Sequence, residues 1–245
     1  MQPAGVAPLK VDIVKKTFRS AEGVTIDVLR GLSFEVRQGE FACLLGPSGC
    51  GKTTTLRILL GLDREFSGSY QLPEGSPKRI AAVFQEPVLL PWRTVEQNVR
   101  IALPPRFKGK DLDSLFEILG LTPVRSLYPS ELSLGLARRA ALARAFATEP
   151  SVLFLDEPFA SLDERTAGRL RRLLMTVWAA RPTTVLMVTH NLREALLLAD
   201  RIIVLTPRPA RVLGTFDLRL SREFRDTRTL DDLALEFHKR FPDTE

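Results

Sequence analysis

The run Gly46-Pro47-Ser48-Gly49-Cys50-Gly51-Lys52-Thr53 has the residue types and spacing of a phosphate-binding loop, GxxxxGK[ST]. Each part has a physical task. The glycines let the backbone wrap closely around phosphate oxygens and aim N–H groups inward. A helix that follows such a loop points its positive dipole end at the anion. Lys52 reaches the outer phosphates, and the Thr53 hydroxyl is suited to a bound Mg²⁺. Thr54, the next residue at the helix start, joins the phosphate-binding set.

Two further constellations fit the same chemistry. Ser151-Val152-Leu153-Phe154-Leu155-Asp156-Glu157 reads as an apolar strand ending in two acids. Ligands of open α/β sheets bind beyond the carboxyl ends of strands. Asp156 in that position can hold Mg²⁺, and Glu157 can orient or deprotonate an attacking water. His190 ends the β-branched run Thr184–Thr189. A histidine there can stabilise charge on a transferred phosphoryl group or place the water.

These groups need a scaffold of strands and helices. Residues 9–14 and 26–37 alternate apolar and polar types and predict strands. Phe41–Leu45 predicts a short buried strand, followed by the Gly-rich turn and a helix to about Gly61. Residues 79–84 form another apolar run. From Thr94 to Thr148 the pattern is mostly helical, broken at Pro104-Pro105, Lys108-Gly109 and Pro123. Strand signals return at Val152–Asp156, Thr184–Thr189 and Arg201–Leu205, with helices between, which implies a parallel sheet. Residues 211–218 predict a late strand, and Thr229–Phe241 a closing helix.

Bulk properties set the outer limits. The 245 residues suit one large α/β domain with an inserted lobe, and 44% hydrophobic with 26% charged residues allow a substantial core. The net charge is +6 and the pI about 9.7. From Pro207 onward eight Lys/Arg face eight Asp/Glu, so the tail is mixed rather than polybasic, and nucleic acid is not an expected partner. Cys43 and Cys50 could pair in principle, but Cys50 sits inside a loop that needs a fixed backbone. Reduced thiols in a cytosolic protein are the expectation. No apolar run reaches the roughly 18 residues of a membrane span. The start, MQPAGVAPLKVD, lacks a signal-peptide pattern.

The segment Tyr128-Pro129-Ser130-Glu131-Leu132-Ser133-Leu134-Gly135-Leu136, with Ala137-Arg138-Arg139 after it, resembles the signature segment of ABC-type ATPases. With the phosphate loop before it and the acids and histidine after it, the chain is similar to that family over about residues 9–220. The resemblance implies a P-loop NTPase fold of the ABC type: an α/β core with a mainly parallel sheet, an N-terminal antiparallel β-subdomain and an inserted helical signature subdomain. It implies ATP and Mg²⁺ as ligands. Phe18 matches the aromatic that stacks on adenine. Gln85, in Val83-Phe84-Gln85-Glu86-Pro87, matches the glutamine near Mg²⁺ and water. Ser161-Leu162-Asp163 matches the D-loop. Ser133 and Gly135 match residues that meet the γ-phosphate held by a second subunit. The implied assembly sandwiches two ATPs between two cassettes, here taken as identical copies. Leu134 stands where glycine is usual; if that position needed a positive φ, leucine would cost on the order of 1–2 kcal/mol. Asn191 stands where aspartate is common, and caps a helix about as well.

The resemblance divides the chain into a core at about 9–85 and 150–220, a helical subdomain at 86–149 and a helical tail at 221–245, all one ABC ATPase domain. The stretches Gln85–Val99 and Leu198–Pro209 resemble importers of the nitrate, sulfonate, taurine and bicarbonate group. The chain ends soon after them, without the regulatory domain of sugar importers. Implied partners are transmembrane permease subunits, met through Val88, Leu89, Leu90 and Trp92, and indirectly a periplasmic substrate-binding protein. The implied place is the cytoplasmic face of a bacterial inner membrane. The alternatives are a soluble ABC-type ATPase acting on DNA or ribosomes, whose coiled coils or tandem cassettes have no counterpart here, and a P-loop kinase, which leaves the signature segment unexplained.

Overall fold

The computed structural model describes residues 7–19, 23–73, 79–181 and 183–242. In chain order the elements are β1 (Leu9–Arg19), β2 (Thr25–Val36), β3 (Phe41–Leu45), α1 (Lys52–Leu59), β4 (Ser67–Gln71), β5 (Ile80–Val83), α2 (Val95–Arg100), α3 (Asp113–Ile118) and α4 (Leu134–Ala147). They continue with β6 (Val152–Asp156), α5 (Glu164–Ala180), β7 (Thr184–Thr189), α6 (Leu192–Leu198), β8 (Arg201–Leu205), β9 (Val212–Asp217) and α7 (Thr227–Arg240). The chain forms two compact units, one of Met1–Pro77 with Thr184–Glu245 and one of Lys78–Thr183.

In the first unit, β3 lies between β7 and β8 and runs parallel to both, with Phe41 opposite Val185 and Ala42 opposite Arg201. β9 pairs antiparallel with β8. β3 and β7 are buried along their whole length, which is why they read as continuous apolar runs rather than alternating ones. A second, antiparallel sheet has the order β2-β1-β4. In β1, Leu9, Val11 and Ile13 point into the core while Lys10, Asp12 and Val14 face water. The amino end of β3 is fixed by charge: Arg201 donates to both carboxylate oxygens of Glu40, and the Phe41 N–H donates to Asp200. Helix α7 packs by Phe237, whose ring centroid lies 5.5 Å from Phe216 and 5.0 Å from Phe241.

In the second unit, β5 and β6 are parallel, with Ile80 opposite Val152. Between them the chain makes α2, α3 and α4. Thr94 and Gln97 close the start of α2 as a reciprocal capping box. Asn98, fully buried, donates to the carbonyls of Leu90, Arg93 and Thr94 and accepts the Leu90 N–H at 2.7 Å. From α4, Arg144 donates to the carbonyls of Val88 (2.7 Å) and Pro87 (3.0 Å). The segment after Gln85 is thus tied down by two side chains.

The α/β class is as expected, with mainly parallel core strands and an N-terminal antiparallel sheet. Two local readings change. β4 has no apolar alternation and was not expected. The helical stretch from Thr94 to Thr148 resolves into two six-residue helices, 3-10 turns and the longer α4. Cys43 and Cys50 are both free and buried, as the reading of reduced thiols expects. Among the described residues no helix is long and apolar enough to cross a membrane. The first six residues of the leader reading lie outside the described residues.

Candidate functional site

The phosphate loop leaves β3 at Gly46 and enters α1 at Lys52. Its glycines are required by contact as well as by backbone angle. A Cβ on Gly46 would stand 3.0 Å from the Leu205 Cβ. Gly49 has φ +75°. Gly51 has φ +122°, and a Cβ there would meet Leu29 at 2.6 Å. Gly51 is the N-cap of α1 and brings no side-chain cap, so the helix start is shaped to receive an anion. Lys52 is buried and donates its ammonium to the carbonyls of Gly46 (2.7 Å) and Pro47 (2.9 Å). The charge is thus folded over the loop it serves. Ser48 and Thr53 are exposed, Thr54 is half-buried, and the Cys50 thiol is buried, with its pKa pushed up by desolvation.

Phe18 lies near the end of β1 and is 43% exposed, free to present a ring face to a ligand rather than packed in the core. The Lys16 ammonium sits 4.5 Å from its ring centroid. That ammonium is buried and donates to Asp63 (2.7 Å) and to the Glu65 carbonyl (2.8 Å). Lys16 gave no sequence signal beyond its charge; only the fold places it beside Phe18.

His190 follows β7 and is exposed. Its chain neighbours are fixed on both sides. The Asn191 N–H donates to the Thr189 hydroxyl, Thr189 donates to Glu194, and Asn191 caps α6 by accepting the Glu194 N–H at 3.1 Å. Asn191 therefore does the capping expected of it. Gly46, Pro47 and His190 line one cavity of about 110 Å³ with Leu192, Phe237 and His238.

In the second unit, Asp156 ends β6 at 4% exposure and Glu157 follows with φ 43°. A left-handed glutamate costs on the order of 1 kcal/mol and persists where the surroundings dictate it. Ser161 is left-handed too, with φ 61°. Asp163 caps α5 by accepting the Thr166 N–H at 3.0 Å, and hydrogen bonding from the Thr166 hydroxyl and N–H holds its carboxyl below the usual range. Gln85 is exposed just past β5.

Ser133 is the N-cap of α4 and accepts the Leu136 N–H at 3.3 Å. Leu134 is the first helical residue and is not among the left-handed positions, so no strain attaches to leucine there. Its side chain is 42% exposed. Gly135 is buried, and a Cβ on it would stand 2.9 Å from Thr166 of α5. Its first role is thus close packing against the helix that Asp163 caps.

For a metal, the described residues hold no group of three His, Cys, Asp or Glu side chains that could chelate one. The Thr53 hydroxyl and the Asp156 carboxylate are oxygen donors of the kind Mg²⁺ takes in ones and twos, together with phosphate oxygens.

Comparison with known proteins shows the family. The family model described as "ABC transporter" matches residues 29–160. The chain is 43% identical over 201 residues to the aliphatic sulfonates import ATP-binding protein SsuB 1 of Pseudomonas syringae pv. syringae (strain B728a), covering 81% of this chain and 84% of that protein. It is 40% identical over 233 residues to SsuB 2 of Burkholderia cenocepacia (strain HI2424), covering 92% and 84%. To SsuB of Bacillus thuringiensis subsp. konkukian (strain 97-27) it is 36% identical over 220 residues, covering 87% of each. Among solved structures, the dimeric structure of MJ0796, a bacterial ABC transporter cassette, superimposes with a TM-score of 0.73 at 28% identity, over 87% of this chain and 100% of that one. The same cassette in a post-hydrolysis state bound to ADP and Pi gives 0.73 at 27% identity. The chain belongs to the ABC transporter family, as one of its ATP-binding and ATP-hydrolysing subunits.

Proposed function

We propose that this subunit drives import of aliphatic sulfonates through membrane permease subunits. The observation that carries the substrate class is the likeness, at 36–43% identity over most of both chains, to proteins named for aliphatic sulfonate import. On this reading the Phe18 ring takes the adenine face, and the Gly46–Gly51 backbone with Lys52 and Thr54 takes the phosphates. Thr53, Gln85 and Asp156 are the residues that would hold Mg²⁺, which when bound would neutralise charge on the phosphate chain. Glu157 accepts a proton from the attacking water and so aims it at the γ-phosphorus. His190 donates to the transferred group. Ser133, Gly135 and Asp163 of a second, identical copy complete the site in trans. The dimeric structure of the similar cassette supports that part of the reading.

The segment after Gln85 is the proposed permease contact. Val88 is 59% and Trp92 69% exposed, and exposed apolar groups on a segment held by Asn98 and Arg144 suit a protein surface. Residues 86–149 are proposed as the signature subdomain, with the core at 9–85 and 150–220 and the tail at 221–245. The subunit then works at the cytoplasmic face of the inner membrane, with a periplasmic binding protein delivering substrate to the permease.

The test is transport. Proteoliposomes carrying this chain with its permease subunits should take up radiolabelled ethanesulfonate when ATP is enclosed on the cassette side. Glu157→Gln should abolish that uptake. Uptake of nitrate or bicarbonate with none of any sulfonate would overturn the substrate class.

A further inference from the structure

The stretch Thr206-Pro207-Arg208-Pro209 marks the chain's importer resemblance but has no part in the chemistry above. The structure gives it one. Arg208, in the loop between β8 and β9, donates to the Gly49 carbonyl from Nη2 at 2.5 Å and from Nε at 3.1 Å. Gly49 is inside the phosphate loop, at φ +75°, and a Cβ there would stand 3.2 Å from Arg208 Nη2. Glycine at this position therefore meets two demands, the left-handed backbone and the guanidinium.

The loop that carries Arg208 is itself fixed. Thr206 N–H donates to the Arg211 carbonyl, and Arg211 N–H donates back to the Thr206 hydroxyl, closing the loop. Ala210 N–H donates to the Val28 carbonyl at 2.8 Å, and Arg30 N–H donates to the Ala210 carbonyl at 3.1 Å. Those β2 residues flank Leu29, which packs where a Cβ on Gly51 would go. So the phosphate loop is held at Gly51 by β2 and at Gly49 by a loop anchored on β2.

We propose that Arg208 is a positioning residue for phosphate binding. A guanidinium on the Gly49 oxygen orients the Gly49–Cys50 peptide. In a trans peptide the carbonyl and the N–H point in opposite directions, so an outward oxygen turns the Cys50 N–H into the loop. A charged donor on the oxygen also polarises the peptide and strengthens its N–H as a donor. The Cys50 N–H now reaches the Pro47 carbonyl at a long 3.3 Å, a bond weak enough to yield to a phosphate oxygen. Arg208 acts through Gly49, so its influence falls on the phosphate chain and not on the base.

This inference rests on the reading of residues 46–53 as the phosphate loop, and the experiment separates the two. Binding of Mg-ATP and of inorganic tripolyphosphate to the purified chain is measured by calorimetry for wild type, Lys52→Ala, Arg208→Ala and Arg208→Lys. Lys52→Ala should lose both ligands; tight tripolyphosphate binding by that variant would overturn the loop reading itself. Arg208→Ala should weaken both ligands by the same factor, roughly tenfold for a lost charge-assisted bond, with the melting temperature little changed. Arg208→Lys keeps the charge but not the paired donors, and should be weakened too. The loss should persist in 0.5 M salt, where a bare long-range attraction is screened. Unchanged tripolyphosphate affinity in Arg208→Ala, or a wild-type Arg208→Lys with a loss that salt removes, would overturn the positioning role.

Discussion

A buried ammonium beneath an exposed ring is an arrangement with a purpose at the residue scale. Lys16 neutralises Asp63 and lies 4.5 Å from the Phe18 centroid, so one side of the ring is packed on a fixed charge while much of the rest meets solvent. Such a ring loses little freedom when a base stacks on it. Phe18→Ala should weaken ATP binding by about 1–3 kcal/mol, the range for aromatic–base stacking, while leaving tripolyphosphate binding as it is. Equal losses for both ligands would place Phe18 in the fold and not at the base. Lys16→Met removes the cation from half-buried Asp63 and should cost about 1–3 kcal/mol of stability, read by chemical denaturation. Leu134 makes a contrasting case. It is an ordinary first helical residue with an exposed side chain, so Leu134→Gly removes bulk at the signature and costs at most about 1 kcal/mol of helix stability. Steady-state ATPase activity should stay level or rise; a collapse would show that the leucine side chain itself is used.

At the scale of elements, the turn after α4 carries the clearest electrostatic signature. Glu149 accepts from Arg181 at 2.5 Å and Lys110 at 2.8 Å, and these hydrogen bonds hold its carboxyl down at about 2 against an ordinary 4.5. A carboxyl whose pKa is depressed by folding adds stability above its unfolded value and loses it as the pH falls through the window from about 4.5 to 2. Glu149→Gln should therefore be less stable than wild type above pH 5. The gap should narrow as the pH is lowered toward 2.5; a gap independent of pH would mean that the ion pairs contribute nothing. Lys110 also reaches the Ala147 carbonyl, so the cluster ties the end of α4 to the chain before α3. None of this was legible beforehand, because long-range charge pairing leaves no periodic trace. The buried strands β3, β6 and β7 were legible, since a strand covered on both faces must be apolar throughout. β4 was not. Its Ser-Gly-Ser-Tyr-Gln is held by pairing to β1, and at Gly68 the backbone of β1 comes so close that an added Cβ would sit 2.2 Å from the Asp12 carbonyl oxygen. The phosphate loop could be read to the residue because each position has a separate chemical demand. Lys16, Arg144 and Arg208 could not, because their partners are backbone atoms or side chains far away in sequence.

At the scale of the whole molecule, one chain on this reading carries only half of each site. On the same reading the signature that closes each phosphate loop comes from the other copy, and Ser133 is exposed at the start of α4. Closure of two copies should then depend on ATP being present and opening on its hydrolysis. Glu157→Gln keeps the shape and the hydrogen-bonding capacity of the side chain but removes the base. It should bind Mg-ATP about as wild type does and hydrolyse it some 10²- to 10⁴-fold more slowly. Size-exclusion chromatography with light scattering should find this variant monomeric alone and dimeric with Mg-ATP. Wild type under the same conditions should return to monomer as ATP is consumed. A variant that stays monomeric at saturating Mg-ATP would argue against pairing of identical copies and for a different cassette as partner. A variant that hydrolyses at the wild-type rate would take Glu157 out of the reaction and leave the left-handed turn at that residue to be explained by packing.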